Sequence, residues 1–447
     1  MNAALSARPD LRLVPAAAGA WAGTALALHL DADRAVVVAA GCAALGGSLL
    51  GVYLRRPRWW WAGAVAVLLF AAAGMAGTGV RVATRDGSPL VGLAQRGAVV
   101  VLGLTVRDDP RPITAGFGGQ PRVLVAVAAT WVEHNGQHCR LDDDVLVLAE
   151  ATGWTGLLPG QELSASGRLL PAAGGDLTTA ALAARGPPTL VGAPPLVQRA
   201  AGDLREGLVD AAHVLPAGPR GLLPGLTLGD VSGLDPVLRQ QFQETGLTHL
   251  TAVSGANVAI VVGAVLWLLR RAGAAPWWTA LAAGIVLVGF VVLVRPSPSV
   301  LRAAAMGAVA LIALATGRPR SALPALAAAV VVLTLWLPEL ALSAGFALSV
   351  TATLGIVLMA PGLTRWLRGH RVPPAVAEAL AVSLAAGAVT APLVAGLSAS
   401  VSLVSVPANV LAAPAVPPAT VLGVLACLIA PVVQLAAEGL VQLAGVP

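Results

Sequence analysis

Apolar residues in this chain come in two kinds of run, long unbroken ones and short alternating ones. Leu13–Leu30, Ala35–Leu54 and Trp60–Val80 open the sequence, each near the roughly 20 residues that carry a helix across a bilayer. Between about Gly97 and Pro195 the pattern changes to VVVLGLTVRDDP, PRVLVAVAATWVE, DDDVLVLAE, QELSASGRLLP and TAALAARG, separated by Gly, Pro, Asn and Asp. Such runs predict roughly five strands, and a small domain of that kind fits an OB-like β-barrel. Leu196, Ala200, Leu204, Leu208 and Ala212 then alternate with Arg199, Asp203, Arg205, Glu206 and Asp210, which predicts an amphipathic helix over 196–214 at the membrane surface. Long runs return as Thr248–Leu269, Pro276–Val294, Val300–Thr316, Ser321–Leu337, Ala341–Leu363 and Pro373–Leu397. Ser398–Pro447 is apolar but interrupted by Pro407, Pro414, Pro417, Pro418 and Pro431, as in broken or re-entrant helices that line a cavity. The pattern predicts a polytopic α-helical membrane protein of roughly 9–11 spans. Its expected parts are three N-terminal transmembrane helices (1–80), the β insertion (97–195), the interfacial helix (196–214) and a second membrane domain (221–447).

Composition agrees and adds two exclusions. The 447 residues are 57% hydrophobic and 11% charged, far below the charge of a soluble domain. Every basic residue is Arg; with no Lys there is no Walker A loop, and no ATP hydrolysis of that type. Cys42, Cys139 and Cys427 do not make a disulfide framework, since only Cys139 falls in the β insertion. Arg8 and Arg12, then Arg55, Arg56 and Arg58, then Arg270 and Arg271, then Arg318 and Arg320, then Arg365, Arg368 and Arg371 all share one side if the insertion lies on the other. By the positive-inside rule the N-terminus is cytoplasmic and the insertion extracellular. Arg81, Arg85 and Arg96 depart from the rule, but they lead into a long translocated segment where it is weak. The first run follows Arg8 and Arg12 as a signal peptide would, yet no small-residue cleavage site stands out, so it reads as a retained span.

The stretch Gly221–Ala264 carries the densest candidate chemistry. A polar helix bearing Arg239, Gln240, Gln241, Gln243 and Glu244 passes into a transmembrane helix with His249, Ser254 and Asn257. Hydrocarbon penalises unsatisfied polar groups, so this segment should border protein or water and form one wall of a polar path. His249 suits a proton relay, a phosphate contact or a packing hydrogen bond. Ser254 sits in VSGAN rather than a G-x-S-x-G elbow and lacks an evident base, so no hydrolase is expected. Arg295 and Arg302 flank a PSPSVL turn, either at a pore mouth or snorkelling to the interface. Ser343, Ser349, Thr351 and Asn409 complete the polar inventory. His134, His138 and Cys139 in WVEHNGQHCR read as a surface loop rather than a metal site, for want of a fourth ligand. In the insertion, Arg107, Arg111, Arg122, Arg140, Arg168 and Arg185 are outnumbered by acids, and the aromatics are Phe117, Trp131 and Trp154. A docking role and direct DNA contact both stay open for it.

GLTLGD, ETGLTHLTAVSGANVAI, SVLRAAAMG with Arg302, LPELALSAGFALSV and SVPANVLAAPAVP, in this order, resemble the successive signatures of the ComEC competence family. That resemblance implies a channel for single-stranded DNA in natural transformation. It would be fed by an extracellular DNA-receptor protein and served by a cytoplasmic helicase or ATPase and a separate nuclease, among membrane lipids. Asp230, Gly246, His249, Ser254, Gly255, Asn257, Arg302, Ser349 and Asn409 would lie on or beside the path, and Arg239, Glu244 and Arg295 join them from the residue reading. Many members of that family continue into a metallo-β-lactamase-like domain; no H-x-H-x-D-H run occurs here, so no catalytic residue, cofactor or metal is expected. A secondary transporter for a smaller anion and a cell-envelope assembly protein are the alternatives.

Overall fold

The computed structural model describes residues 10–113, 121–317, 321–398, 402 and 404–445. Arg8, Phe117, Arg318 and Arg320, used in the sequence reading, lie outside the described residues. The chain divides into two compact units: 23–44 with 72–202, and 1–22 with 45–71 and 203–447.

The first three helices are α1 (Val14–Ala27), α2 (Ala32–Arg55) and α3 (Trp59–Asp86). Seven helices of the described residues are long and apolar enough to cross a membrane, or eight when one bent pair counts as a single span. That count is lower than the sequence pattern suggests. α1, with 14 residues, and α11 (Ala322–Trp336), with 15, fall short of spanning length because polar or proline-bearing turns cut the apolar runs that contain them.

In the β-rich unit (23–44 with 72–202), α4 (Pro89–Gln95) precedes the strands, and its N-cap Ser88 accepts from Leu90 N and donates to Asp143 Oδ2 at 2.6 Å. Seven strands follow: β1 (Val99–Val106), β2 (Arg111–Ile113), β3 (Arg122–His134), β4 (Gln137–Glu150), β5 (Glu162–Pro171), β6 (Ala180–Ala184) and β7 (Thr189–Leu190). The five expected from the pattern are the longer ones, and β2 and β7 are short additions at the edges of β3 and β5. Pairing runs β1-β3-β4-β6-β5 and returns from β5 to β1, with β4–β6 parallel and the other four antiparallel. Alternate residues point inward, so Leu102, Leu104, Val125, Val127, Val145, Val147, Leu163 and Leu182 share one core with the fully buried Trp154. The Trp154 indole donates to Gly186 O at 3.0 Å, satisfying its one polar atom.

The segment WVEHNGQHCR is at the surface, exposed over 135–140, and is ordered by strand pairing. It is the tip of the β3–β4 hairpin, with Asn135 (φ 52°) and Gly136 (φ 77°) in the left-handed turn that matches strand twist. His134 bonds Val99 O and His138 bonds Glu133, and among the described residues no metal-holding cluster exists.

The larger unit holds α5 (Leu196–Ala211) from Asp203 onward, then α6 (Ala217–Leu228), α7 (Pro236–Glu244), α8 (Gly255–Arg271), α9 (Pro276–Val294), α10 (Pro298–Ala315), α11, α12 (Ala344–Gly369), α13 (Pro374–Ser398), α14 (Ser405–Ala412), α15 (Val416–Ile429) and α16 (Gln434–Ala444). α14 and α15 meet at 53° around Pro414, whose missing N–H and ring prevent one straight helix. Packing is close where residues are small. Gly207 of α5 lies against Ala430, and Cys427 Sγ donates to Leu204 O at 3.2 Å. From Asp203 onward α5 thus packs on the helices of its own unit. On the other side, Trp21 stacks edge-on with Phe346 and donates to Ala341 O at 2.8 Å.

Gly103 of β1 leaves the space that the Trp131 indole fills, since a Cβ there would overlap the ring. Gly103→Ala is expected to destabilise the β-rich unit by about 1–3 kcal/mol. Hydrogen exchange at the β1 and β3 amides would show it as faster opening; unchanged protection would contradict this packing.

Candidate functional site: polar clusters at helix ends

The polar segment does not run as one helix. α7 ends at Thr245, Gly246 takes φ +69°, and Thr248–Leu250 forms a 3-10 turn before α8 starts at Gly255. His249 therefore sits in the turn and Ser254 at the N-cap, and of the three polar residues expected on a membrane helix only Asn257 lies within one. The cause is local. Thr245, Thr248 and Thr251 each bond a nearby carbonyl, and Gly246 permits the left-handed turn that breaks the helix.

Two clusters result. In the first, Asn257 is 3% exposed; its amide donates to Leu226 O at 2.6 Å, and its Oδ1 accepts from Ser254 Oγ at 2.9 Å. This pins the start of α8 to the last turn of α6. One turn of chain away, Gly255 faces Arg302 of α10, and a Cβ on Gly255 would come within 2.8 Å of Nη2. Arg302 is 7% exposed, donates from Nε to Ser349 Oγ at 2.8 Å, and sets Nη1 3.3 Å from Met306 Sδ. Ser299 Oγ lies 3.1 Å from Ser349 Oγ, closing the cluster between α10 and α12. Burial excludes the snorkelling reading of Arg302: its head is inside the helix packing.

The second cluster joins segments far apart in sequence. A Cβ on Gly246 would lie 2.7 Å from Ser405 Cβ, so the turn rests directly on α14. His249 Nδ1 lies 3.2 Å from Gly246 O, and on the α14 side Asn409 Nδ2 donates to Ser405 O at 2.8 Å. Ser405, which the sequence reading did not single out, was legible only as the first residue of SVPAN.

Other expected residues stand apart. Asp230 follows the α6 cap Gly229 (φ 75°) and accepts from Ser232 N and Oγ, with Arg205 Nη2 3.8 Å from its Oδ2. Arg205 donates to Leu228 O and Leu293 O as well, tying α5 to the ends of α6 and α9. Arg295 ends α9 with φ +69°. Arg239 donates to Val231 O and Gln240 to Glu244, but α7 buries no residue, so it forms no part of either cluster. Two clefts of about 460 Å³ are present, one lined by Gly263, Leu266, Trp267, Arg270 and Arg271 and one in the β-rich unit beside Arg107 and Gln198. In the β-rich unit, Arg107 pairs with Asp144 and Arg111 with Asp108. Burial pushes the Asp144 carboxyl above its ordinary range, against the pull of Arg107.

Spanning helices, one bent pair and polar side chains gathered at helix starts define a multi-pass α-helical membrane protein built around a polar seam. The chain belongs to the competence protein family, whose model matches residues 226–447 and so takes in every residue expected on the path. It is 30% identical over 213 residues to ComE operon protein 3 of Bacillus subtilis (strain 168), which is 47% of this chain and 26% of that protein. It is 43% identical over 51 residues to Competence protein ComA of Neisseria gonorrhoeae, 11% of this chain and 7% of that one. The matches thus span about a quarter, or less, of the length of these relatives. No solved structure matches the chain.

Asn257→Ala leaves Leu226 O and Ser254 Oγ without their partner in an apolar setting. A loss of about 1–3 kcal/mol is expected. Thermal unfolding of the detergent-solubilised protein reads it directly, and a melting temperature equal to wild type would show that the α6–α8 link carries no stability.

Proposed function

We propose that this protein is a channel that passes single-stranded DNA across the cytoplasmic membrane during natural transformation. The N-terminus is cytoplasmic and the β-rich unit extracellular, where it takes the strand from a receptor protein. Motive force and strand degradation come from separate proteins, a helicase or ATPase and a nuclease, and this chain catalyses no hydrolysis. Membership of the competence family supports the reading. The observation that carries it is Arg302, a guanidinium enclosed in the family-matched region at a junction of helix ends. Each nucleotide brings one negative charge, and hydrocarbon resists a charge by about 3 kcal/mol even on mild scales. A strand therefore needs a wall of donors, and Arg302, Ser349, Asn257, His249 and Asn409 are the donors that the broken helices gather.

The circuit β1-β3-β4-β6-β5, parallel at one pair, supports an OB-like reading of the β domain. Its arginines beside Asp144 and Asp108 are locally neutralised, which favours docking to a receptor over direct DNA contact.

Deleting the gene should abolish entry of labelled DNA into the cytoplasm while surface binding of DNA persists. His249→Ala and Arg302→Ala, restored in trans, should each lower uptake at least tenfold at wild-type membrane levels, measured by immunoblot of the membrane fraction. Normal uptake by both variants removes these residues from the path, and normal uptake without the gene removes the function.

A further inference from the structure

Three helix N-termini converge on Arg302. Gly255 is the first residue of α8 and lies against Nη2, as the space a Cβ would take there shows. Arg302 itself is one turn into α10, and Ser349 is in the second turn of α12. A Cβ on Gly345 would come 3.9 Å from Pro298 Cγ, so the first turns of α10 and α12 are neighbours. All three helices are long, with 17, 18 and 26 residues, and each presents the positive end of its dipole here. A helical side chain leans toward its own N-terminus, which carries the guanidinium toward these ends.

The electrostatics are one-sided. A guanidinium bears a full positive charge, and three partial positive charges surround it. Arg302 forms no ion pair among the described residues, and no acidic side chain is close enough to act on its charge. Its polar contacts, Ser349 Oγ and Met306 Sδ, are neutral. A charge enclosed in this way is unfavourable unless something compensates it. The start of α8 adds to the imbalance. Ser254 makes no side-chain cap, because its hydroxyl is turned to Asn257 Oδ1, so the leading N–H groups of α8 keep their donors free of a side-chain acceptor. By contrast, Ser297 caps α10 and Ser343 caps α12. The mouth of the cluster is accessible: Ala256, Ala344 and Gly345 are exposed, and Ser254, Gly255, Ser299 and Ser349 are half-buried.

We propose that the junction of α8, α10 and α12 is an oxyanion-binding site that takes one phosphate group, held by Arg302, the Ser299 and Ser349 hydroxyls and the uncapped N–H groups of α8. Guanidinium and helix-end amides are the donors that suit tetrahedral oxyanions. The anion supplies the missing negative charge, and Gly255 is required because a Cβ would push the guanidinium away. A phosphodiester of a nucleic-acid strand and free inorganic phosphate offer the same chemistry. Only the choice of the strand as natural occupant rests on the function proposed above.

The test uses the purified full-length protein in detergent, with thermal unfolding followed in sodium phosphate or in sodium chloride at matched ionic strength and pH. Phosphate is expected to raise the melting temperature of wild type above its value in chloride. Arg302→Gln should remove that difference, and Ser349→Ala and Gly255→Ala should reduce it. Arg302→Gln should melt no lower than wild type in chloride, since it removes an uncompensated charge. A short oligodeoxythymidine displacing ³²P-phosphate from the wild-type protein would identify the strand as occupant; failure to displace leaves free phosphate as the ligand. Equal melting in phosphate and chloride, or a phosphate effect retained in Arg302→Gln, overturns the site. If the phosphate effect is Arg302-dependent but uptake by Arg302→Gln is normal, the site stands and its place on the DNA path falls.

Discussion

A positive charge shut among apolar helices is the constraint on which the membrane unit is built. Bringing Arg302 inside forces several choices on its neighbours. Position 255 must lack a side chain, position 349 must offer an oxygen, and the first turns of α10 and α12 must lie side by side. None of these is favourable for its own sake. Together they hold a charge where lipid and packed side chains would otherwise reject it. Asn257 does the same for the backbone, satisfying the α6 carbonyl of Leu226 that its helix end leaves open.

Breaks in the helices make these arrangements available. A continuous helix satisfies its own backbone and turns its side chains outward, so it has little to offer a polar ligand. Gly246, the three threonines around it and Pro414 interrupt the apolar run, and each interruption frees groups that another segment then meets. The His249 turn and α14 meet in this way, although about 160 residues of chain separate them. The β-rich unit follows a different logic. Its backbone groups meet by strand pairing around a circuit, and Arg107 and Arg111 pair with Asp144 and Asp108.

Much of the architecture could be read from periodicity, because lipid and a strand core each select side chains with a simple repeat. The longer five strands and most of the spanning helices follow from that alone. Two features need more than the repeat. The Asn135–Gly136 turn closes a hairpin, and Asn-Gly between alternating runs is the local signal for it. Arg205 lies on the polar side of an amphipathic helix, and a helical repeat reports which face is polar and not which carbonyls lie opposite.

By itself the amino-acid sequence determined membrane character, the β insertion and the identity of the polar residues, because hydropathy and repeat length act locally along the chain. It also placed breaks near Gly and Pro, whose backbone limits are their own. Only the tertiary structure decided which polar groups meet. Arg302 reaches Ser349 and Gly255, and the Gly246 turn reaches Ser405, while Arg239 and Glu244 stay on an exposed helix away from both. The physical reason is that a hydrogen bond or an uncompensated charge is settled by distance in three dimensions, and a run of residues carries no record of what will fold against it.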